Sequence, residues 1–166
     1  MALTTNTALA QLQPSGIRRI TAFAKQTPGC ILLTLGEPDG NTADAVKEEV
    51  AKSLAANETH YPPNAGYPEL RREIASHINT RFGSDYAPEE TLVTVGSTQA
   101  LISGLMAILN PGDEVVVPVP TFGLYKPQIE MAGGVYVPLH TEDDGFQITS
   151  ERLNAVLTEK TRAILF

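Results

Sequence analysis

Cysteine, tryptophan and clustered positive charge are what this sequence has least of. The single cysteine, Cys30, has no second cysteine with which to form an internal disulfide or a zinc ribbon. The 12 lysines and arginines are outnumbered by 19 aspartates and glutamates, a net charge of −7, and no basic block occurs. These absences exclude a disulfide scaffold and make nucleic acid a poor candidate partner, since phosphate backbones bind positive surfaces.

Targeting and membrane signals are also lacking. The first 13 residues have neither the basic start nor the apolar stretch of a secretion signal, so the sequence favours the cytoplasm, as does the lone cysteine. The longest uncharged run, residues 91–112, is interrupted after a strand-like piece and closed by Asn110-Pro111-Gly112. It predicts a strand and a buried helix rather than a membrane span.

The 166 residues, 42% of them hydrophobic and 19% charged, are typical of one globular domain. Apolar spacing and breakers predict helices over 17–25, 43–56, 68–82, 98–109, 122–132 and 149–157, and strands over 91–95, 114–119, 135–139 and 162–166. This alternation predicts an α/β fold, with a mostly parallel sheet covered by helices on both faces. The last strand stops without a turn or cap, which predicts a truncated protein.

Three helix signals are specific enough to test. Thr42 is placed to cap the helix over 43–56, and Pro68 suits the first position of the next helix. Gly83 suits a left-handed stop after it.

The helix over 98–109 is apolar on nearly every face, which predicts burial.

A candidate ligand site follows the strand over 91–95. In parallel sheets ligands bind at the carboxyl ends of strands, and Gly96-Ser97-Thr98 lies between a strand and a helix start. Backbone N–H groups, the helix dipole and two hydroxyls could bind a phosphate there. An ordinary turn with Ser97 or Thr98 as the N-cap is the alternative. The loop has neither a Walker lysine nor the three-glycine dinucleotide spacing.

A second loop of interest follows the strand over 114–119. Phe122 and Tyr125 come just after its carboxyl end, where an aromatic face could contact a planar ligand. Because the two are three residues apart, the pattern alone favours packing of the following helix on the core.

Other reactive side chains give little signal. The three histidines, His60, His77 and His140, are scattered, so no metal site is predicted. A lysine that forms an imine must be desolvated or lie near another cation, and none of the five lysines has such a setting in the sequence.

Four segments together resemble the class I/II aminotransferases, pyridoxal-phosphate enzymes of fold type I, the aspartate aminotransferase fold. The segments are Leu35-Gly36-Glu37-Pro38-Asp39, Tyr61-Pro62-Pro63-Asn64-Ala65-Gly66-Tyr67-Pro68-Glu69-Leu70-Arg71, Val93-Thr94-Val95-Gly96-Ser97-Thr98-Gln99-Ala100-Leu101 and Asn110-Pro111-Gly112-Asp113-Glu114-Val115. The resemblance runs along nearly the whole chain in the family's order. It implies that the chain is the N-terminal portion of a longer enzyme.

The resemblance also implies site residues. Gly96, Ser97 and Thr98 match the cup for the cofactor phosphate, and Phe122 matches an aromatic ring stacked on the pyridine. Tyr61 matches a tyrosine that reaches across a homodimer to the neighbouring subunit's cofactor, and Gly36 matches a glycine beside the substrate carboxylate.

The family's catalytic residues are expected outside this chain. A Schiff-base lysine, an aspartate on the pyridine nitrogen and an arginine on the substrate carboxylate all follow the fourth strand, so no catalytic residue is assigned here. The resemblance implies an arm with a short helix over 1–30 and a partial large domain over 31–166.

The implied activity is transfer of an amino group between an amino acid and a 2-oxo acid in amino-acid metabolism and biosynthesis, with this chain an incomplete and inactive fragment. A non-catalytic cofactor-binding or interaction module and a lyase or synthase of the same fold are the alternatives. In the family's seven-stranded sheet the strand over 92–95 would have no partner within this chain. Unpaired edges and an open apolar helix face predict aggregation of the isolated chain.

Overall fold

The computed structural model describes residues 3–4, 10 and 16–166, and the chain divides into two compact units. One is Ile17–Thr94, and the other contains Val95–Phe166. The candidate residues are distributed over both, so each unit is described by itself.

Helices form most of the first unit. They are α1 (Gly16–Ala24), α2 (Asp44–Ala55) and α3 (Pro68–Phe82), followed by a single 3-10 turn over Pro88–Glu90. Pro68 begins α3, and Gly83 ends it in the left-handed conformation with φ 67°. Both signals are therefore confirmed, because proline needs no N–H at a helix start and glycine has no Cβ to oppose positive φ.

The predicted cap of α2 is wrong. Ala43, not Thr42, occupies the N-cap position, and no side chain caps this helix. None of its residues is buried, and its apolar residues Val46, Val50 and Leu54 are all more than half exposed. Within this chain the helix is therefore stabilised mainly by interactions between its own residues, among them the exposed ion pair of Lys47 with Asp44 at 2.6 Å.

The strand predicted over 91–95 is also wrong. This segment belongs to no sheet among the described residues. The Val93 N–H instead donates to the Ala65 carbonyl (3.0 Å), and Arg71 Nε of α3 donates to the Thr91 carbonyl (2.8 Å). Its backbone is satisfied by a loop and an arginine because no described strand offers it a ladder.

A parallel sheet organises the second unit, as predicted. The strands are β1 (Glu114–Val119), β2 (Val135–His140) and β3 (Thr161–Ile164), ordered β2-β1-β3. Both pairings are parallel, with Val116 opposite Val137 and Ile164. The helices are α4 (Gly96–Ile108), α5 (Tyr125–Met131) and α6 (Ser150–Val156), and a short 3-10 turn covers Glu142–Asp144.

The core of this unit surrounds β1. Val115, Val116 and Val117 are fully buried. Successive strand residues point to opposite faces, so both faces of β1 are covered. Val115 and Val117 form one cluster with Leu105, Leu109 and Ile129, called the β1 core cluster below.

Helix α4 is not buried as predicted. Leu105 is its only buried residue, while Met106 is 65% exposed and Ile108 is 43% exposed. A helix presents only one face to a single neighbour, and the face of α4 that contains Leu105 packs in the β1 core cluster.

The uncharged run 91–112 forms no membrane span. Its helix has 13 residues, and no helix in the described part of the chain has the length and apolar character to cross a bilayer.

Candidate functional site

The first turn of α4 presents backbone and hydroxyl groups together. Gly96 begins the helix with φ 74°, a conformation that glycine adopts without steric cost. Ser97 and Thr98 follow, and both are exposed. The amides of a helix's first turn have no carbonyl partner within the helix and carry partial positive charge. This turn (Gly96, Ser97 and Thr98), called the α4 turn below, can therefore bind an anion.

Neither hydroxyl of the α4 turn serves as the helix cap. Val95 is at the N-cap position without a side-chain cap, which removes the alternative in which Ser97 or Thr98 is the N-cap. Gln99 provides a different contact, in which its Oε1 accepts from the Val95 N–H at 2.6 Å. Sequence reasoning missed this contact, although a glutamine near a helix start is a known capping signal.

Phe122 and Tyr125 differ in their surroundings, and the ligand contact of Phe122 stays a prediction. Tyr125 packs against the β1 core cluster, as the packing interpretation requires. Phe122 stays 54% exposed in the loop after β1 and contacts the Tyr125 ring edge to face, with centroids 5.7 Å apart. The helix begins at Tyr125 instead of residue 122, so Phe122 lies outside it and its ring remains accessible.

Gln128 joins the two candidate loops and was not predicted. Its side chain lies on α5, is 6% exposed, and donates from Nε2 to the Thr98 carbonyl at 2.9 Å. A glutamine beside the buried Ile129 is the only signal that the sequence offered. One buried hydrogen bond therefore connects the α4 turn to the helix that follows Phe122.

The carboxyl ends of β1 and β2 are joined near the Phe122 loop. Buried Thr141 donates from Oγ1 to the Val119 carbonyl at 2.8 Å. Beyond it, the hydrogen bond from Arg152 lowers the pKa of Asp143, and the one from His140 lowers the pKa of Glu142. These carboxylates favour their charged forms, and Asp143 forms an ion pair with Arg152 at 3.0 Å.

Tyr61 and Gly36 belong to the unit Ile17–Thr94. Tyr61 is fully exposed in the segment between α2 and α3. Gly36 is exposed, and a Cβ placed on it would meet nothing within 4 Å. The roles of these two residues stay predictions.

The remaining reactive side chains of the described residues are the lysines and the residue types that ligate metals. All five lysines are exposed, and the side chains of Lys52 and Lys126 lie near the carboxylates of Glu49 and Glu130. No group of three or more His, Cys, Asp or Glu in the described ranges could hold a metal ion.

Known proteins resemble this chain in sequence and in structure. The family model described as aminotransferase class I and II matches residues 28–166. The chain belongs to this family. It is 40% identical over 159 residues to an aspartate/prephenate aminotransferase of Thermus thermophilus, covering 93% of this chain and 41% of that protein. An aspartate aminotransferase of Pyrococcus abyssi is 38% identical over 157 residues, covering 93% and 40%.

A solved structure of aspartate aminotransferase from Thermus thermophilus with maleate superposes on this class I and II family member with a TM-score of 0.90. It is 37% identical and covers 98% of this chain and 44% of that one. The chain thus spans about 41% of the length of the curated relatives it matches.

Pyridoxal phosphate is the cofactor that membership of this family implies. The α4 turn suits the phosphate end, because its hydroxyls are exposed and its backbone begins a helix with a glycine in the left-handed region. The half-exposed ring of Phe122 suits the flat pyridine. The residues present therefore fit the seat of this cofactor.

Proposed function

We propose that this chain forms part of an aminotransferase that moves an amino group between an amino acid and a 2-oxo acid with pyridoxal phosphate. The exposed α4 turn carries the proposal, because it offers an anion site within the segment that matches the family. Since the chain spans 41% of its relatives, the activity is proposed for the complete protein.

Each site residue has a proposed task. The Ser97 and Thr98 hydroxyls and amides bind the cofactor phosphate, and Gly96 allows the backbone to approach it. Phe122 offers its ring face to the pyridine. When bound, pyridoxal phosphate supplies an electron sink for bond cleavage at the substrate Cα.

Two residues of the other unit complete the proposal. Tyr61 reaches the cofactor phosphate of a second copy in a homodimer, a role for which its full exposure leaves the phenol available. Gly36 lies beside the substrate carboxylate. The lone cysteine favours a cytoplasmic location.

No lysine of this chain is proposed to bind the cofactor covalently. A lysine that acts as a nucleophile must lose its proton near neutral pH, which requires burial or a neighbouring cation. All five lysines are exposed, and Lys47, Lys52 and Lys126 lie near carboxylates, so none is buried or placed beside another cation. The Schiff-base lysine, the pyridine aspartate and the carboxylate-binding arginine are expected in the remainder of the protein.

The proposal is tested on the complete protein, obtained by following the reading frame past Phe166. We expect it to bind pyridoxal phosphate with a visible absorption that changes when an amino acid is added and returns with a 2-oxo acid. The isolated 166 residues are expected to show no such change. A complete protein that binds the cofactor without responding to amino acids favours the non-catalytic module, and one that releases a product other than a 2-oxo acid favours a lyase or synthase.

A single hydroxyl tests the proposed phosphate contact. Ser97→Ala should raise the dissociation constant of pyridoxal phosphate about tenfold or more, because hydrogen bonds to charged groups contribute about 1.5–3 kcal/mol. Ser103→Ala is the matched control, since Ser103 is exposed on the same helix but outside its first turn. Equal affinities of the two variants would contradict the phosphate assignment.

A further inference from the structure

Gln128 combines deep burial with an incompletely satisfied amide. Its side chain is 94% buried, and Nε2 donates to the Thr98 carbonyl at 2.9 Å. Within the described residues its Oε1 is buried without a hydrogen-bond partner. We infer that Gln128 is a positioning residue that holds the α4 turn in place relative to the Phe122 loop, an inference that rests on the proposed function.

The orientation of the amide follows from its partner. A backbone carbonyl can only accept, so the NH₂ group of Gln128 must face Thr98 and Oε1 must face the packed interior. A buried acceptor without a partner destabilises the fold. An apolar side chain of similar volume would avoid this cost but would release the Thr98 carbonyl. Gln128 therefore lowers stability if its role is packing alone, whereas its NH₂ group can anchor the α4 turn.

The anchor continues from Gln128 to Phe122 along α5. The Gln128 N–H donates to the Leu124 carbonyl at 3.1 Å, and the Tyr125 N–H donates to the Phe122 carbonyl at 3.1 Å. The Tyr125 ring contacts Phe122 on one side and the β1 core cluster on the other. The same short helix thus carries the support for Phe122 and the link to Thr98.

Anchoring the α4 turn matters because none of its residues is buried. Gly96 through Ala100 are all exposed, and the first buried residue of α4 is Leu105, two turns further on. A helix end with few buried contacts frays readily. Fixing the Thr98 carbonyl reduces the ordering needed when a phosphate binds, which raises affinity without any new contact to the ligand.

The test compares two substitutions on α5 in the complete protein. Gln128→Met keeps the volume but removes the donor, and Ile129→Val removes one methyl group from the fully buried neighbour. We expect Gln128→Met to raise the dissociation constant of pyridoxal phosphate about five- to tenfold while the melting temperature of the apoprotein stays the same or rises. Amide exchange over residues 99–102 of the apoprotein should quicken. Ile129→Val should lower the melting temperature and leave the dissociation constant unchanged.

A third variant gives a readout that packing alone would not move. Gln128→Glu can donate to the Thr98 carbonyl only when its carboxyl is protonated. The ratio of its dissociation constant to that of the wild type should therefore fall as the pH is lowered from 8 to 6. Measuring both proteins at each pH removes the titration of the cofactor phosphate itself.

The outcomes separate this inference from the proposed function. If the wild type binds no pyridoxal phosphate, both are overturned. If the wild type binds and Gln128→Met binds equally well, only the positioning role is overturned. Loss of affinity in proportion to loss of stability, in both Gln128→Met and Ile129→Val, or a pH-independent ratio for Gln128→Glu, would also overturn it.

Discussion

Individual residues in this chain are constrained most tightly where the backbone passes close to another segment. Gly66 has φ 98°, and a Cβ placed there would lie 2.5 Å from Val93 Cγ2 and 2.7 Å from Val93 Cβ. The neighbouring Ala65 carbonyl accepts from the Val93 N–H, so the two segments cannot separate without losing a hydrogen bond. Glycine at this position is required by both conformation and space.

Gly66→Ala should lower the free energy of unfolding by about 3 kcal/mol, because it combines a strained φ with a steric overlap at a branched side chain. Gly40→Ala is the matched control, since its Cβ would meet nothing within 4 Å and its φ is not in the left-handed region. We expect the control to stay within about 0.5 kcal/mol of the wild type in urea unfolding of the complete protein. Equal stabilities of the two variants would show that Val93 and Gly66 are not in contact.

At the scale of elements, the helix ends show that residue type alone does not decide which side chain caps a helix. Thr149 caps α6, accepting from the Arg152 N–H at 3.3 Å. Thr42 has the same side chain and was predicted to cap α2, yet Ala43 occupies that position. Both threonines lie near the start of a helix. The course of the backbone before each helix decided that only Thr149 occupies the N-cap position.

Thr149→Ala should cost about 1 kcal/mol of unfolding free energy, because it leaves a first-turn amide of α6 without its acceptor. Thr149→Ser keeps the hydroxyl and should cost much less. Thr42→Ala should have no measurable effect beyond a few tenths of a kcal/mol. Urea unfolding of the three variants in the complete protein provides the comparison, and a Thr42→Ala effect as large as that of Thr149→Ala would contradict the observed cap.

At the scale of the whole molecule, apolar surface is left exposed on several elements. On α4, Met106 is 65% exposed and Ile108 is 43% exposed. On α2, Val46, Val50 and Leu54 are between 53% and 60% exposed. Apolar helix faces of this kind mark surfaces that another segment or molecule covers, or that aggregate when left open.

We therefore expect the isolated 166-residue chain to aggregate or to melt over a broad temperature range, with strong binding of an apolar dye. Thermal unfolding followed by circular dichroism, together with light scattering, measures both effects. The complete protein is the control and should melt cooperatively. A soluble monomer of the isolated chain with a sharp transition would contradict this expectation.

The parallel character of the sheet could be predicted because it depends on local pattern. Four of the six residues in 114–119 are valines, and β1 occupies that range. Strands alternating with helices require parallel connections, as observed for β2-β1-β3. The candidate anion site was also predicted from sequence, because glycine and two hydroxyl residues lie at a predicted helix start, and its role stays a prediction. The division predicted at residue 30 stays a prediction.

Tertiary structure decided what depends on partners distant in sequence. Residues 91–95 are of types that favour strands, but a strand forms only where another strand offers hydrogen bonds. Here the backbone instead forms hydrogen bonds with Ala65 and Arg71. The burial of α4 on one face only was likewise set by its contact with the β1 core cluster. Gln128 meets Thr98 across 30 residues of chain, a contact that no local pattern contains. Local chemistry thus determined which residues can bind a phosphate, and long-range packing determined what holds them in place.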